Sequence, residues 1–88
     1  MRMFLRFERL RNLLFELSSE DRLRILFGLQ EKVMRLTHLS KKLGLTVQET
    51  SRHLLRLSNA KLIKKEVDGF YRPTPYEEHC MTLLSGFL

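Results

Sequence analysis

The segment THLSKKLGLTVQETSRHLLRLSNAKLI, residues 37–63, decides the fold, because it reads as two short helices joined by a glycine turn. Thr37 is predicted to cap the first helix, Gly44 to end it in a left-handed conformation, and Thr46 to cap the second. Glu49 follows Thr46 at the spacing of a capping box. Two helices in this arrangement form a helix-turn-helix, whose second helix can enter the major groove of DNA.

The second helix, predicted over residues 46–58, has two chemically different faces. The inward stripe recurs at spacings of three and four and consists of Val47, Thr50, Leu54 and Leu57. The outward face is polar and consists of Gln48, Glu49, Ser51, Arg52, His53 and Arg56. Leu55 fits neither face and is placed at their boundary.

Positive charge is concentrated on the same part of the chain. The 88 residues make one domain with a net charge of +6. Residues 32–65 hold nine Lys or Arg and one acid, whereas residues 66–88 hold one Arg and four acids. Basic residues that coincide with a helix-turn-helix are typical of a surface that binds nucleic acid. The alternative is that these charges only solvate a helical surface.

Two helices are predicted before the helix-turn-helix. Residues 4–17 repeat apolar side chains every three or four positions, and the charged residues between them exclude a membrane span. Ser18 and Asp21 are predicted to restart a helix, which is expected to stop or loosen at Gly28. The connector that follows allows a short strand and is expected to turn Val33 inward.

A β-hairpin wing is predicted over residues 62–73. Asp68 and Gly69 lie between two β-prone runs, which indicates a two-residue turn. In that register Lys65 lies opposite Arg72. Two positive charges side by side are mildly destabilising unless an anion lies between them.

A final helix is predicted over residues 75–85. Thr74 is its cap, Pro75 its first residue, and Glu77 the partner that completes a capping box. Helices, then a helix-turn-helix, then a hairpin and a last helix is the order of a winged helix-turn-helix. The predicted fold class is therefore mainly α with a small β-hairpin wing, over one domain of residues 1–88.

The segment LTVQETSRHLLRLSNAKLI, residues 45–63, resembles the recognition segment of ArsR-like regulators, in which a Ser-Arg-His-Leu run precedes an Ala-x-Leu-Ile passage into the wing. FYRPTPYEE, residues 70–78, is similar to the end of the wing in predicted archaeal regulators of this kind. The resemblance implies sequence-specific binding of double-stranded DNA by a transcriptional regulator. In those archaeal regulators an effector domain commonly follows, so the chain resembles either the DNA-reading half of a larger protein or a standalone relative.

Twelve residues are predicted to contact DNA. The predicted base readers are Gln48, Ser51, Arg52 and Arg56. Arg pairs bidentately with guanine and Gln with adenine, so Arg52 and Gln48 lead this set, whereas Arg56 lies one turn further along and is better placed for a phosphate. The residues predicted to hold the DNA backbone are Thr37, Lys41, Lys42, Thr46, His53, Lys64, Lys65 and Arg72.

A homodimer is predicted through the helices at residues 4–17 and 75–85, because their apolar faces exceed what one small core covers. Two-fold pairing would place two recognition helices about one turn of DNA apart. The alternative is that the two helices pack on each other within one chain.

No cofactor, metal site or enzymatic activity is expected. His38, His53 and the His79-Cys80 pair lack the spacing of metal ligands, and no phosphate-binding loop or catalytic triad is recognisable. His79 is expected at the surface and Cys80 in the core. A single cysteine and the lack of a signal-peptide pattern predict an intracellular, cytoplasmic protein.

The main alternative function is a winged-helix module that docks on another protein without binding DNA. Such a module should present an apolar outward face on its second helix, whereas here only Leu55 interrupts a polar row. RNA binding is a weaker option, because only Phe70 and Tyr71 could stack on bases.

Overall fold

The computed structural model describes residues 2–87, which form five α-helices and one two-stranded sheet. The elements in chain order are α1 (Arg2–Leu17), α2 (Glu20–Glu31), α3 (Leu36–Leu43), α4 (Val47–Asn59), β1 (Ile63–Lys65), β2 (Tyr71–Pro73), α5 (Pro75–Leu84) and a 3-10 turn (Ser85–Phe87). This order confirms the predicted winged helix-turn-helix. Within residues 2–87, every helix is too short or too polar to cross a bilayer.

The core lies where α2, α3, α4 and β1 meet. Its side chains are fully or almost fully buried and include Ile25, Leu26, Met34, Leu39, Leu54, Leu57 and Leu62. Helix α1 contributes only Leu17 to the buried set, with Leu13 partly buried against it. The first three turns of α1 therefore project beyond the core, and their apolar side chains remain uncovered.

The turn of the helix-turn-helix has the predicted local geometry. Gly44 follows α3 with a φ of 68°, in the left-handed region where a side chain is disfavoured. Thr46 caps α4, because its hydroxyl accepts the Glu49 N–H at 3.0 Å while the Glu49 carboxylate accepts the Thr46 N–H at 3.4 Å. The predicted capping box is confirmed. Lys61, two residues after the end of α4, also has a left-handed backbone conformation, with a φ of 64°.

The predicted cap at Thr37 is wrong. Helix α3 begins at Leu36, and Arg35, two residues before Thr37, occupies the cap position without a side-chain hydrogen bond. The reason is a long-range contact: Met34 forms a β-bridge with Tyr71, whose N–H donates to the Met34 carbonyl at 2.9 Å. Backbone that pairs with the wing is extended up to Arg35, so the helix starts directly after it. Met34 is also the buried residue here, whereas Val33 is only partly buried.

The start of α2 differs from the prediction by one residue. Ser19, and not Ser18, caps the helix by accepting the Arg22 N–H at 3.3 Å. The Ser18 hydroxyl instead donates to the Phe15 carbonyl at 2.6 Å, which completes the end of α1. The expected break at Gly28 is also wrong, because this residue is buried on the core side and α2 continues to Glu31.

The hairpin register is shifted by one residue from the prediction. Lys65 lies opposite Tyr71, and Lys64 lies opposite Arg72. Beyond the strands the Glu66 N–H donates to the Phe70 carbonyl at 2.7 Å, so the loop itself has three residues, 67–69. Of these, only Gly69 has a positive φ, at 89°. The two-residue type I′ turn expected for Asp-Gly needs positive φ at both positions, whereas a three-residue loop needs it only at its last residue.

The new register brings an anion to the pair of facing cations. The Arg72 Nε lies 3.1 Å from a carboxylate oxygen of Glu66, which follows Lys65 on the strand side of the loop. Asp68 stabilises the loop, since its carboxylate accepts the Phe70 N–H at 3.1 Å. The predicted contact between Lys65 and Arg72 is therefore wrong. Arg72 lies opposite Lys64 instead, and Glu66 partly neutralises this pair of like charges.

Helix α5 begins with half of the predicted capping box. The Thr74 hydroxyl accepts the Glu77 N–H at 3.1 Å, as expected. The Glu77 carboxylate does not return to the cap but is fully buried, where it accepts a hydrogen bond from the Gln30 amide at 2.8 Å. Its second oxygen has no hydrogen-bond partner within the described residues. Burial of this carboxyl raises the pKa of Glu77, and the Gln30 hydrogen bond only partly opposes that effect.

Replacing Glu77 with glutamine should change how stability depends on pH. The folded-state pKa of Glu77 lies above its ordinary value near 4.5, so the fold binds this proton more tightly than the unfolded chain does. The parent should therefore lose stability as the pH rises from that ordinary value through the folded-state pKa, and Glu77→Gln should lose less. Urea unfolding followed by circular dichroism at several pH values measures the difference.

Glu20→Gln is the matched control, because Glu20 is exposed in the first turn of α2. The stability of Glu20→Gln should depend on pH more nearly as that of the parent does than the stability of Glu77→Gln. Equal pH dependence in the parent and in Glu77→Gln would contradict a role for the buried carboxyl.

Candidate nucleic-acid interface

Helix α4 exposes a polar stripe that is free to contact a ligand. Gln48, Ser51 and Arg52 are all exposed, and within residues 2–87 their side chains make no hydrogen bond or ion pair. The opposite side of α4 is buried through Thr50, Leu54 and Leu57, so the stripe must point away from the core. Three of the four predicted base readers therefore share one accessible surface.

Arg56, the fourth predicted base reader, is held by α1. Its guanidinium donates two hydrogen bonds to the Glu16 carboxylate, at 3.1 and 3.2 Å, and lies 5.1 Å from the centre of the Phe15 ring. These hydrogen bonds raise the pKa of Arg56 above its ordinary value. The guanidinium thus already has an anionic partner within the chain, unlike that of Arg52.

Glu16 is the centre of a three-helix cluster. Its carboxylate lies 3.4 Å from Arg22 Nε in α2, as well as against Arg56 in α4. Arg22 is buried and also donates to the carbonyls of Glu16 and Phe15, at 2.7 and 3.2 Å. The last turn of α1 is consequently attached to both α2 and α4.

His53 faces α2 and not solvent. Its Nε2 atom lies 3.8 Å from a carboxylate oxygen of Asp21, and its Nδ1 atom is buried without a hydrogen-bond partner in the described part of the chain. A phosphate would reach His53 less readily than the exposed cations. The Thr46 hydroxyl is similarly occupied, since it takes part in the capping box.

Helix α3 presents exposed cations next to α4, with which it packs. Lys41 makes no ion pair within residues 2–87, and Lys42 has only a loose contact of 3.8 Å with the highly exposed Glu31. Thr37 is exposed in the first turn of α3. These side chains remain available to phosphate groups.

The wing carries exposed positive charge on its strands and negative charge at its tip. Lys64, Lys65 and Arg72 are exposed, and Lys65 Nζ lies 5.9 Å from the centre of the Tyr71 ring. Glu66, which pairs with Arg72, and Asp68 in the loop reduce the positive potential of the tip. The base of the hairpin is therefore the better polyanion contact.

Arg35 is a candidate contact that the sequence prediction missed. It is exposed between α3 and the wing, with its guanidinium carbon 4.8 Å from the centre of the Phe70 ring. Its only signal in the sequence is its place within the basic stretch of residues 32–65. Its position depends on the contact between Met34 and β2, which local patterns do not reveal.

The sequence predicts His79 at the surface and Cys80 in the core, and neither as a metal ligand. Cys80 is buried and His79 is exposed, which confirms both placements. Within residues 2–87, no three side chains of His, Cys, Asp or Glu are grouped so that they could hold a metal ion.

An accessible polar stripe on the second helix of a helix-turn-helix, with a basic hairpin beside it, defines a winged-helix DNA-binding domain. Residues 19–65, more than half of the chain, match the family described as bacterial regulatory protein, arsR family. The chain belongs to the ArsR family. Its fold is the DNA-binding fold of a transcriptional regulator, and family and fold are those of regulators and not of enzymes.

Solved structures share this fold over nearly the whole chain. Reduced HlyU from Vibrio cholerae N16961 is 29% identical, with 94% of this chain and 90% of HlyU covered and a TM-score of 0.77. NolR from Sinorhizobium fredii is 23% identical, with 98% and 90% covered and a TM-score of 0.85. The comparison with curated proteins gave no significant match.

A third similar structure is the homodimeric winged helix-turn-helix DNA-binding domain of Mb0332 from Mycobacterium bovis, described as a possible ArsR-family transcriptional regulator. It is 18% identical, with 98% of this chain and 82% of that domain covered and a TM-score of 0.83. The particular likeness to archaeal regulators stays a prediction.

Breaking the ion pair between Glu16 and Arg56 should weaken the attachment of α1 to α4. Glu16→Gln and Arg56→Gln should each lower the free energy of unfolding. The double variant should lose less of this free energy than the two single variants together, because both single changes remove the same bidentate contact. Equilibrium unfolding of the four proteins gives the coupling.

Glu31 and Lys42 provide the control cycle, because their contact is longer and largely exposed. Its coupling should be close to zero. Coupling as small between Glu16 and Arg56 as in the control pair would contradict a structural role for that contact.

Proposed function

We propose that this protein is a transcriptional regulator that binds specific sequences in double-stranded DNA, with the recognition helix at residues 46–58 in the major groove. The observation that carries the proposal is the exposed, unpartnered stripe of Gln48, Ser51 and Arg52 on α4. Each of these side chains can pair with a base edge, and the elements packed beside α4 carry exposed cations. A docking module would not need this polar surface.

Base reading is assigned to the stripe. Arg52 would donate two hydrogen bonds to guanine and Gln48 would pair with adenine, while Ser51 can pair with several bases. Arg56 is given a supporting role, because its contact with Glu16 holds α4 against α1. This changes its predicted role as a base reader.

Backbone binding is assigned to exposed side chains on both sides of α4. On α3 and before it these are Arg35, Thr37, Lys41 and Lys42; on the wing they are Lys64, Lys65 and Arg72. Such contacts fix the register of the protein on DNA without reading its sequence. The proposed division of the single domain is a helix-turn-helix at residues 37–61 and a wing at 62–73, in a cytoplasmic protein.

Self-association through α1 and α5 is proposed as the active state. Phe7 and Leu10 on α1 are 63% and 51% exposed, and Tyr76 and Leu83 on α5 are also exposed. Exposed apolar surface of this extent on a small domain is typical of an interaction site. The homodimeric domain from Mycobacterium bovis has the same fold, which supports two-fold pairing here.

Arg52→Ala and Lys65→Ala should weaken DNA binding in different ways. Duplexes first have to be selected from a random library with the parent protein. Arg52→Ala should lose preference between selected and scrambled duplexes, by about 1–3 kcal/mol for a bidentate contact to guanine. Lys65→Ala should weaken both kinds of duplex about equally and reduce the salt dependence of binding.

Fluorescence anisotropy at several salt concentrations measures both effects. Glu20→Gln, on a helix outside the stripe, should bind like the parent and serves as the control. Failure of the parent to select any duplex would contradict the proposed function and would favour a docking module. Unchanged binding by both variants would contradict the assigned roles.

Leu10→Glu should convert a dimer into a monomer, because a charge placed in an apolar interface loses its hydration. Val67→Glu is the matched control, since Val67 is an apolar residue at the tip of the wing that is even more exposed than Leu10. Sedimentation equilibrium should show a dimer for the parent and for Val67→Glu, and a monomer for Leu10→Glu. A monomeric parent at high micromolar concentration would contradict self-association.

A further inference from the structure

Leu55 is a large apolar side chain on the accessible side of the recognition helix. It is 62% exposed, whereas its neighbour Leu54 is buried in the core. The sequence placed Leu55 at the boundary between the two faces of α4. Its exposure assigns it to the outward face instead.

The position of Leu55 continues the polar stripe. Gln48, Ser51, Arg52 and Leu55 follow one another at spacings of three, one and three, which places them on one side of an α-helix. Helical side chains lean towards the N-terminus, so Leu55 covers surface next to Ser51 and Arg52. A ligand that lies along these residues therefore also meets the isobutyl group of Leu55.

Leu55 belongs neither to the core nor to the apolar face of α1 and α5. Its neighbour Arg56 turns to α1 and contacts Phe15 and Glu16, but Leu55 belongs to neither the core cluster nor the set packed against it. The apolar face proposed for self-association lies on α1 and α5. Leu55 therefore stands as an isolated apolar position within a polar surface that is proposed to meet base edges.

Resting on the proposed function, we infer that Leu55 is a specificity-determining residue that contacts the methyl group of a thymine in the major groove. The C5-methyl group of thymine is the apolar feature of base edges in that groove, and apolar side chains recognise it by contact. A leucine side chain cannot donate or accept a hydrogen bond, so it does not favour a base through the polar groups of its edge. Leu55 and Gln48 are about 10 Å apart along the helix axis, so they meet different base pairs.

Removal of single thymine methyl groups tests this inference. The probes are duplexes that the parent selects from a random library, with each thymine replaced in turn by deoxyuridine, which lacks only the methyl group. At the thymine contacted by Leu55, the replacement should weaken binding by the parent about fourfold, the effect of one buried methyl group. Leu55→Ala should bind the unmodified duplex more weakly and show no further loss at that position.

Val47→Ala is the matched control, because Val47 is the other exposed large apolar residue of α4 and lies in its first turn. This variant should keep the loss on deoxyuridine replacement at the position that Leu55→Ala abolishes. Leu55 and Val47 are both exposed, so both variants should unfold at the parental temperature, which circular dichroism checks.

Two outcomes would overturn the inference while leaving the proposed function intact. Either the parent selects duplexes but no deoxyuridine replacement weakens binding, or Leu55→Ala retains every loss seen with the parent. A parent that selects no duplex at all contradicts the proposed function itself. The three results are distinguishable because selection is measured before any thymine is replaced.

Discussion

The burial of one side of α4 is the interaction on which the rest of the structure depends. Leu54 and Leu57 are almost completely buried against the core, and truncation of such a side chain to alanine typically costs about 2–5 kcal/mol. Because the two sides of a helix are rigidly opposed, this burial also fixes the rotation of α4 about its axis. Gln48, Ser51 and Arg52 are therefore presented to solvent by the same contacts that stabilise the domain.

The Glu16 cluster connects this recognition surface to the least covered part of the molecule. Helix α1 has few core contacts of its own, yet its last turn is attached to α2 through Arg22 and to α4 through Arg56. A second copy of the chain that bound along α1 would therefore have a defined orientation relative to the recognition helix. In the proposed mode of DNA binding, Arg56 would therefore help to orient α4 without touching DNA.

Positive charge without an acidic partner lies on the helix-turn-helix, whereas the tip of the wing also carries acidic side chains. Lys41 and Arg52 have no acidic partner within residues 2–87, whereas Arg72 is paired with Glu66. The three-residue loop produces that pairing, because it shifts the register by one residue and brings Arg72 opposite Lys64. The net charge of the segment alone does not show which cations are already neutralised.

By itself, the sequence determined the features that depend on neighbours within one helical turn. Gly44, the Thr46 capping box and the inward positions Thr50, Leu54 and Leu57 were predictable, because the groups that make them lie three or four residues apart. Val47, which was also predicted to face inward, is exposed in the first turn of α4. Only the tertiary structure decided the features whose partners are distant in the chain. Because Met34 forms a bridge with Tyr71, α3 starts earlier than predicted. The buried Glu77 carboxylate accepts a hydrogen bond from Gln30 instead of returning to the cap of α5. Likewise, Arg56 contacts Glu16 in α1, and His53 contacts Asp21 in α2. These partners are 40 and 32 residues apart in the chain, so their contacts leave no periodic signal in the sequence.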